Sequence, residues 1–141
     1  MIINSLKEME DFAFDFAEKL KKGQVINLIG DMGSGKTTFV SFVAKYFEIY
    51  NTSSPTFAIV NIYNGKMDKE DINLYHLDLY RFEDADEILD IDFETYFYPD
   101  ESITFLEWAD KVEGYLPDDM IEVNIEKIDE NTRDISVKFL D

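Results

Sequence analysis

Hydrophobic and polar positions near the start of the chain predict an amphipathic helix. Ser5 and Glu8 form a capping box, in which a hydroxyl and a carboxylate each satisfy a free backbone amide. Apolar side chains then recur at helical spacing, at Leu6, Met9, Phe12, Phe16 and Leu20. Gly23 is typical of a helix end, so the helix is predicted to stop there.

Strands and shorter helices are predicted along the rest of the chain. The mostly apolar run Val25–Ile29 predicts a buried strand, and the pattern turns helical after Lys36. A short helix is capped by Asp84 and Glu87, and another is predicted over residues 109–113. Further strands are predicted over residues 56–63, 72–78, 103–106, 120–128 and 133–140.

The connections between these elements indicate the sheet topology. Asn64-Gly65 predicts a turn after the strand at 56–63, and the connection over residues 66–71 is short and charged. A short connection favours an antiparallel pair, because a parallel pair needs a long crossover. Mixed strands and helices of this kind predict a single three-layer α/β domain with a mixed sheet, spanning residues 1–141.

Charge and composition narrow the class of protein. The chain has 31 acidic and 13 basic side chains, a net charge of −18, which argues against direct binding of nucleic acid or of an anionic membrane. The acidity suggests a basic partner surface, although a merely soluble surface is the simpler interpretation. The lack of Cys excludes disulfides and thiolate metal sites. We find no signal-peptide pattern and no membrane-spanning apolar run, so we expect a cytoplasmic protein.

Residues 30–37 match the phosphate-binding pattern G-x-x-x-x-G-K-[ST] completely, between a predicted strand and a predicted helix. Glycines allow unusual backbone dihedrals and bring several amides to one anion, and the helix N-terminus points at the same place. Lys36 is expected to reach the β- and γ-phosphates, and the Thr37 hydroxyl is expected to bind Mg²⁺. Chance gives this pattern in roughly one chain of this length in two hundred. The motif predicts a P-loop NTPase-like domain.

A P-loop needs an acidic residue at a neighbouring strand end to complete the Mg²⁺ site. Asp78 and Glu107 each follow a predicted apolar strand, so each lies at a carboxyl edge of the sheet. The sequence pattern alone leaves both candidates open. Thr56, in the segment Ser-Ser-Pro-Thr, is a candidate of another kind. Hydroxyls in switch segments contact the γ-phosphate or its metal, and Thr56 could do the same.

Two further side chains beside these acids have several interpretations. His76 is the sole histidine, and on a strand it is more often packed or hydrogen-bonded than catalytic. Trp108 directly follows Glu107 and is predicted to lie in the core, beside a nucleotide or towards a partner.

The chain resembles the bacterial TsaE (YjeE) ATPases over nearly its whole length. The motifs GDMGSGKTT, SPTF, YHLDLYRFED, FLEW and LP occur in the order and spacing of that family, and DLYR with a downstream Glu-Trp pair is specific to it. The resemblance implies an ATPase that serves threonylcarbamoyl modification of the tRNA adenosine beside the anticodon. It implies ATP and Mg²⁺ as ligands. It also implies two partner subunits, a threonylcarbamoyl transferase (TsaD-like) and its paralogue (TsaB-like).

The resemblance also implies roles for single residues. Glu107 is favoured as the Mg²⁺ ligand beside Thr37, and Asp78 is expected to orient water or metal near the nucleotide. Lys36, Asp78 and Glu107 form the expected catalytic set. A nucleotide contact is expected from the segment Leu6–Glu8 without a fixed residue. The other nucleotide contacts are expected at Asp31, Met32, Gly33, Ser34, Gly35, Lys36, Thr37, Thr38, Thr56 and Arg133.

Two other functions stay open at this point. A small-molecule kinase of P-loop type is disfavoured because such kinases close several arginines over the transferred phosphoryl group, and the chain has only Arg81 and Arg133. A nucleotide-gated binding module with negligible hydrolysis is the other alternative. The product of the reaction distinguishes the three functions: an ATPase releases free phosphate, a kinase forms a phosphorylated metabolite, and a binding module shows no turnover. The chain lacks the Asn-Lys-x-Asp guanine motif, which favours ATP.

Overall fold

The computed structural model describes residues 1–52 and 59–139. In this part of the chain one mixed sheet contains seven strands in the order β1-β7-β6-β2-β5-β4-β3. The strands are β1 (Ile2–Ile3), β2 (Val25–Ile29), β3 (Val60–Met67), β4 (Glu70–Asp78), β5 (Ile103–Glu107), β6 (Ile121–Asp129) and β7 (Thr132–Phe139). The helices are α1 (Leu6–Glu18), α2 (Lys36–Tyr46), α3 (Phe93–Phe97) and two 3₁₀ helices, Ala85–Asp90 and Ala109–Tyr115.

The centre of the sheet is parallel and its margins are antiparallel. Strands β6, β2, β5 and β4 run in one direction, so their carboxyl ends meet at one edge. Strand β3 pairs antiparallel with β4, as the short connection predicted, and β7 and β1 close the other margin in antiparallel register. Because open α/β sheets bind ligands at the carboxyl edge, this edge is where a site is expected.

Helical layers cover both faces of the sheet, which confirms the predicted three-layer α/β fold. On one face, α1 and α2 pack over a core that includes Ala13, Phe39 and Phe105. On the other face, the two 3₁₀ helices and α3 pack over a second core that includes Ile88, Phe97 and Val112. Along β2, β4 and β5 apolar side chains alternate between the two cores, as the two-residue period of a strand requires.

Helix α1 begins as predicted and ends earlier than predicted. The Ser5 hydroxyl accepts a hydrogen bond from the Glu8 amide at 3.1 Å, and the Glu8 carboxylate accepts one from the Asn4 amide at 3.1 Å. The prediction that the helix ends at Gly23 is wrong, because the chain leaves the helix after Glu18. Gly23 instead adopts φ 94° in the following turn and donates its N–H to Ser102, which ties the turn to β5.

The predicted turn at Asn64-Gly65 is also wrong. Both residues lie inside β3, and the turn to β4 falls at Asp68 and Lys69, which have φ values of 51° and 70°. A Cβ at residue 65 would lie 2.4 Å from the Phe47 carbonyl oxygen. The glycine therefore serves close packing, because it lets the chain after α2 hydrogen-bond to the strand.

The remaining predictions agree with the structure apart from their bounds. Strands β2, β5, β6 and β7 and the capping box at Asp84 are confirmed, while the predicted helix at 109–113 is a 3₁₀ helix with a kink at Val112. Strand β1 was not predicted, because two residues carry no periodicity. The first residues of the strand predicted over 56–63 lie outside the described residues. Within the described ranges, no helix is both long and apolar enough to cross a membrane.

Candidate functional site

The loop between β2 and α2 forms a cradle that only glycines allow. Gly33 and Gly35 adopt φ values of 78° and 113°, in the left-handed region that favours glycine, and Gly35 caps the start of α2. A Cβ at residue 30 would lie 2.4 Å from the Ile125 carbonyl oxygen and 2.6 Å from Ser34 Oγ. The loop therefore packs tightly against β6 and leads directly into the N-terminus of α2, a place where anions bind.

A buried hydroxyl in this loop lacks a partner. Ser34 is 2% exposed, and its Oγ has no hydrogen-bond partner among the described residues. Buried polar atoms are normally hydrogen-bonded, so an orphan of this kind indicates a missing partner. A phosphate oxygen in the cradle fits, because it accepts hydrogen bonds from hydroxyls and amides together.

Lys36 lies at the centre of the site and is 6% exposed. Its Nζ donates to the Gly30 carbonyl oxygen at 2.7 Å and lies 3.8 Å from Glu107 Oε1. The same Nζ lies 4.2 Å from the centroid of the Trp108 ring. The structure thus brings the P-loop lysine beside the end of β5, two positions that the sequence marked by separate motifs.

Glu107 is buried and bound on both sides. Its Oε2 lies 2.5 Å from His76 Nε2, which donates to it from the adjacent strand β4. His76 is 1% exposed, so the interpretation of this histidine as packed and hydrogen-bonded is confirmed. The sequence did not indicate that its partner is Glu107. In parallel β4 and β5, His76 and Glu107 face the same side of the sheet, and register alone could have suggested the contact.

Asp78 is the register partner of Glu107 at the end of β4. Burial raises the pKa of its carboxyl, the hydrogen bond from the Tyr80 amide opposes this, and the nearby Glu107 carboxylate raises the pKa further. That amide lies 3.0 Å from Asp78 Oδ1. Perturbed carboxyl groups beside a phosphate cradle are candidates for a functional role.

The structure places most of the other predicted residues around the cradle. Thr37 and Thr38 are half-buried in the first turn of α2, and Asp31 and Met32 are exposed at the tip of the loop. Thr56 lies outside the described residues, so its predicted contact stays a prediction.

Arg133 fastens the last hairpin to the P-loop. Its Nε donates to the Ser34 carbonyl oxygen at 2.7 Å, and its guanidinium also donates to the Asp129 carbonyl oxygen at 2.7 Å. It lines a cavity of 120 Å³ together with Leu6, Met9 and Thr38. This cavity brings together two regions that the family resemblance implicated, the N-terminal segment and the last hairpin, directly beside the P-loop.

The residues present fit a magnesium ion held jointly with phosphates. Mg²⁺ prefers oxygen ligands and is usually held by one or two carboxylates together with phosphates and water. Glu107 and the Thr37 hydroxyl supply such oxygens, with Asp78 on the neighbouring strand. In residues 1–52 and 59–139, no group of three or more His, Cys, Asp or Glu side chains is arranged to hold a metal ion without other ligands.

Comparison with known proteins assigns the family. The family model described as "Threonylcarbamoyl adenosine biosynthesis protein TsaE" matches residues 3–135. The chain belongs to the TsaE family. The TsaE protein of Rickettsia typhi, named a tRNA threonylcarbamoyladenosine biosynthesis protein, is 36% identical over 138 residues, which are 96% of this chain and 92% of that protein.

Other TsaE relatives give the same result. That of Aquifex aeolicus is 36% identical over 140 residues, covering 97% of this chain and 93% of that protein. The crystal structure of YdiB from Bacillus subtilis is similar to this fold with a TM-score of 0.80 at 27% identity, covering 100% of this chain and 84% of that chain. Membership in the TsaE family confirms the resemblance and the fold class inferred from the motifs. The roles of single residues stay predictions.

Proposed function

We propose that the chain is the ATPase subunit of tRNA threonylcarbamoyladenosine biosynthesis. Family membership supports the pathway, and the site supports the activity. The observation that carries the activity is the contact between the lysine of a complete P-loop and an acid at the carboxyl edge of the sheet. Lys36 Nζ lies 3.8 Å from Glu107 Oε1. ATP binding and hydrolysis there support repeated turnover of the threonylcarbamoyl transferase.

The P-loop binds the β- and γ-phosphates through its amides, the Ser34 hydroxyl and Lys36. In the structure Lys36 donates to the Gly30 carbonyl oxygen. We expect Lys36 to exchange this contact for phosphate oxygens, because a charged acceptor forms a stronger hydrogen bond than a carbonyl. The Trp108 ring beside its Nζ excludes water from one side of the lysine.

Thr37 and Glu107 are the residues that would hold Mg²⁺. When bound, Mg²⁺ neutralises charge that develops on the transferring phosphoryl group. His76 holds Glu107 by its Oε2 and leaves Oε1 directed towards Lys36 and the cradle. Asp78, at the end of the adjacent strand, orients the attacking water, and its half-buried position fits a group that accepts a proton from water.

The cavity at Arg133 is the proposed nucleoside subsite. It opens beside Thr38 and Gly35 at the start of α2 and is closed by Leu6 and Met9 from the N-terminal segment. Its volume of 120 Å³ is smaller than an ordinary ligand pocket, so we expect the two walls to move apart around a base.

Phosphate release tests the proposed activity. We expect slow release from ATP and Mg²⁺ by the chain alone, because an isolated switch ATPase is often slow until a partner completes its site. Adding the transferase (TsaD-like) and its paralogue (TsaB-like) should accelerate release. A phosphorylated metabolite in place of free phosphate would favour the kinase alternative. Tight ATP binding without turnover, with or without partners, would favour a binding module.

Lys36→Ala tests the cradle directly. We expect weaker ATP binding and turnover reduced by about 10²-fold or more, since Lys36 stabilises charge on the phosphates. Lys138→Ala is the matched control, because Lys138 is exposed in β7 and belongs to no ion pair of the described residues. Unchanged turnover in a folded Lys36→Ala protein contradicts the proposal.

A further inference from the structure

A second concave region lies on the sheet face opposite α1 and α2. It is a groove of 860 Å³ over β2 and β6, walled by the second 3₁₀ helix. Ile121, Val123 and Ile125 of β6 face the core under α1 and α2, so the alternate side chains of β6 face the groove. The alternate side chains of β6 that line the groove, Glu122, Asn124 and Glu126, are polar, which explains why the protein's own helices leave this part of the face uncovered.

Carboxylates line this groove, and none of them pairs with a basic side chain of the described residues. Five acidic residues line it: Asp31, Asp110, Glu113, Glu122 and Glu126. None of the five belongs to the ion pairs formed among the described residues. The groove also contains Lys127 and Lys36, but Lys127 pairs with Glu130 at 2.9 Å and Lys36 belongs to the P-loop.

The floor of the groove holds a polar side chain without a partner. Asn27, in the middle of β2, is 9% exposed and lines the groove. Within the described part of the chain, no hydrogen bond involves its side-chain amide. Its neighbours in the sheet are Leu106 and Glu122, of which only Glu122 is polar. Its amide opens onto the groove, where a docked segment can hydrogen-bond to it.

We propose that this groove binds a lysine- and arginine-bearing segment of a partner protein. Asn27 hydrogen-bonds the backbone of that segment, and the five carboxylates pair with its cations. The proposal rests on the proposed function, because the partner is taken to be a subunit of the threonylcarbamoyl transferase complex. Nucleic acid and free phosphates do not fit, since unpaired carboxylates repel them.

The groove and the phosphate cradle share a wall. Gly30, Lys36 and Trp108 line the groove, and the same residues form one side of the cradle. A segment seated in the groove therefore contacts the lysine and the indole that nucleotide binding would move. Docking of the partner and occupancy of the P-loop are coupled through these residues, and by linkage the coupling is reciprocal.

Charge reversal tests the groove against a matched surface. The groove variant is Glu113→Lys with Glu126→Lys, two exposed residues outside the proposed catalytic machinery. The control variant is Asp15→Lys with Glu18→Lys, two exposed residues of α1 on the other face of the sheet. Both variants change the net charge equally, so a difference between them reports position and not overall charge.

The measurement is the affinity of each protein for the purified, immobilised transferase and paralogue complex, with ATP and Mg²⁺ at 50 and 300 mM salt. We expect the groove variant to bind about 10-fold or more weakly and the control to stay within about 3-fold of the wild type. Equal affinities for the groove and control variants overturn the proposal. So does concentration-dependent self-association of the wild type that the groove variant abolishes, because the occupant is then a second copy.

Asn27→Leu supplies a test that a purely structural role does not pass. The substitution replaces an amide that opens onto the groove by an apolar side chain of similar size, so we expect an unchanged or higher Tm together with weaker docking. A higher Tm with unchanged docking overturns the role of Asn27 in binding the segment.

Phosphate release from the same preparations separates failure of this inference from failure of the proposed function. Basal release by the groove variant should equal that of the wild type. If the wild type turns over ATP and docks, and the groove variant docks equally well, only the proposal for the groove is overturned. A wild type that neither turns over ATP nor docks overturns the proposed function and the groove together.

Discussion

Replacing His76 by Phe removes the hydrogen bond that holds Glu107, and the consequence can be estimated from the structure. The two side chains are 2% and 6% exposed, and Nε2 lies 2.5 Å from Oε2. Removing the donor leaves a buried carboxylate oxygen unpaired, which costs about 2–3 kcal/mol. For a chain of this size, that corresponds to roughly 5–10 °C in Tm. Lys36, at 3.8 Å, offsets part of the loss.

His76→Phe is also expected to weaken the metal site. Residues that position a metal ligand typically contribute about 10–100-fold to metal affinity or activity. We therefore expect the Mg²⁺ concentration at half-maximal phosphate release to rise by about 10-fold or more. His76→Gln is the matched variant, because its amide N–H can donate to Glu107 and should restore part of both properties.

The assay combines thermal unfolding with Mg²⁺ titrations of phosphate release and of calorimetric ATP binding. A His76→Phe protein with a lower Tm but the wild-type Mg²⁺ requirement shows that His76 only packs. An unchanged Tm and an unchanged Mg²⁺ requirement refute the reasoning completely. Equal defects in the Phe and Gln variants show that the hydrogen bond is not what the site needs.

Three further predictions concern the charges of the site. Glu107→Ala should weaken Mg²⁺ dependence and turnover together, whereas Asp78→Ala should lower turnover with ATP binding largely kept. Titrating Mg²⁺ against the rate of phosphate release distinguishes the two roles. A metal defect in Asp78→Ala would reverse the assignment. Because the folded-state pKa of Asp78 is raised, stability falls as pH rises from its ordinary 3.8 through the folded value. Asp78→Asn should therefore raise Tm at neutral pH, with no gain below pH 3.8, in unfolding scans. Raising salt should weaken docking to the transferase complex but not ATP binding; equal weakening of both contradicts the separation of long-range and local charge effects.

The positions of the P-loop and of the two acids at strand ends could be predicted from the sequence, because each is marked by a short, specific motif. The P-loop glycines, Lys36 and the acids at two strand ends follow rules that hold locally, and the parallel sheet then brings them together. Glu107 and Lys36 are far apart in sequence, yet each lies where its own strand or helix meets the carboxyl edge. Parallel strands at the centre of a mixed sheet are enough to bring the two residues to the same edge.

Tertiary packing determined what the sequence reasoning missed. Asn64-Gly65 is a strong turn signal, but the glycine is needed because the chain after α2 approaches the strand within hydrogen-bond distance of Phe47. The end of α1 was misplaced because Gly23 serves the turn that reaches Ser102 and not the helix. The hydrogen bond between His76 and Glu107 depends on the register of two strands, and so does the position of Asn27 in the groove. No local sequence pattern encodes that register.

The net charge of −18 and the binding of a phosphate are compatible because they act over different distances. Charges beyond about 8 Å are screened at physiological salt, so most carboxylates do not affect an anion in the cradle. Close to the cradle, the loop offers amides, the Ser34 hydroxyl and Lys36, while Glu107, 3.8 Å from Lys36, and its register partner Asp78 are acids at the adjoining strand ends. A nucleotide therefore binds best with a cation placed between it and those two acids. That need connects the acidic strand ends to Mg²⁺, while the carboxylates of the groove stay available to a basic partner.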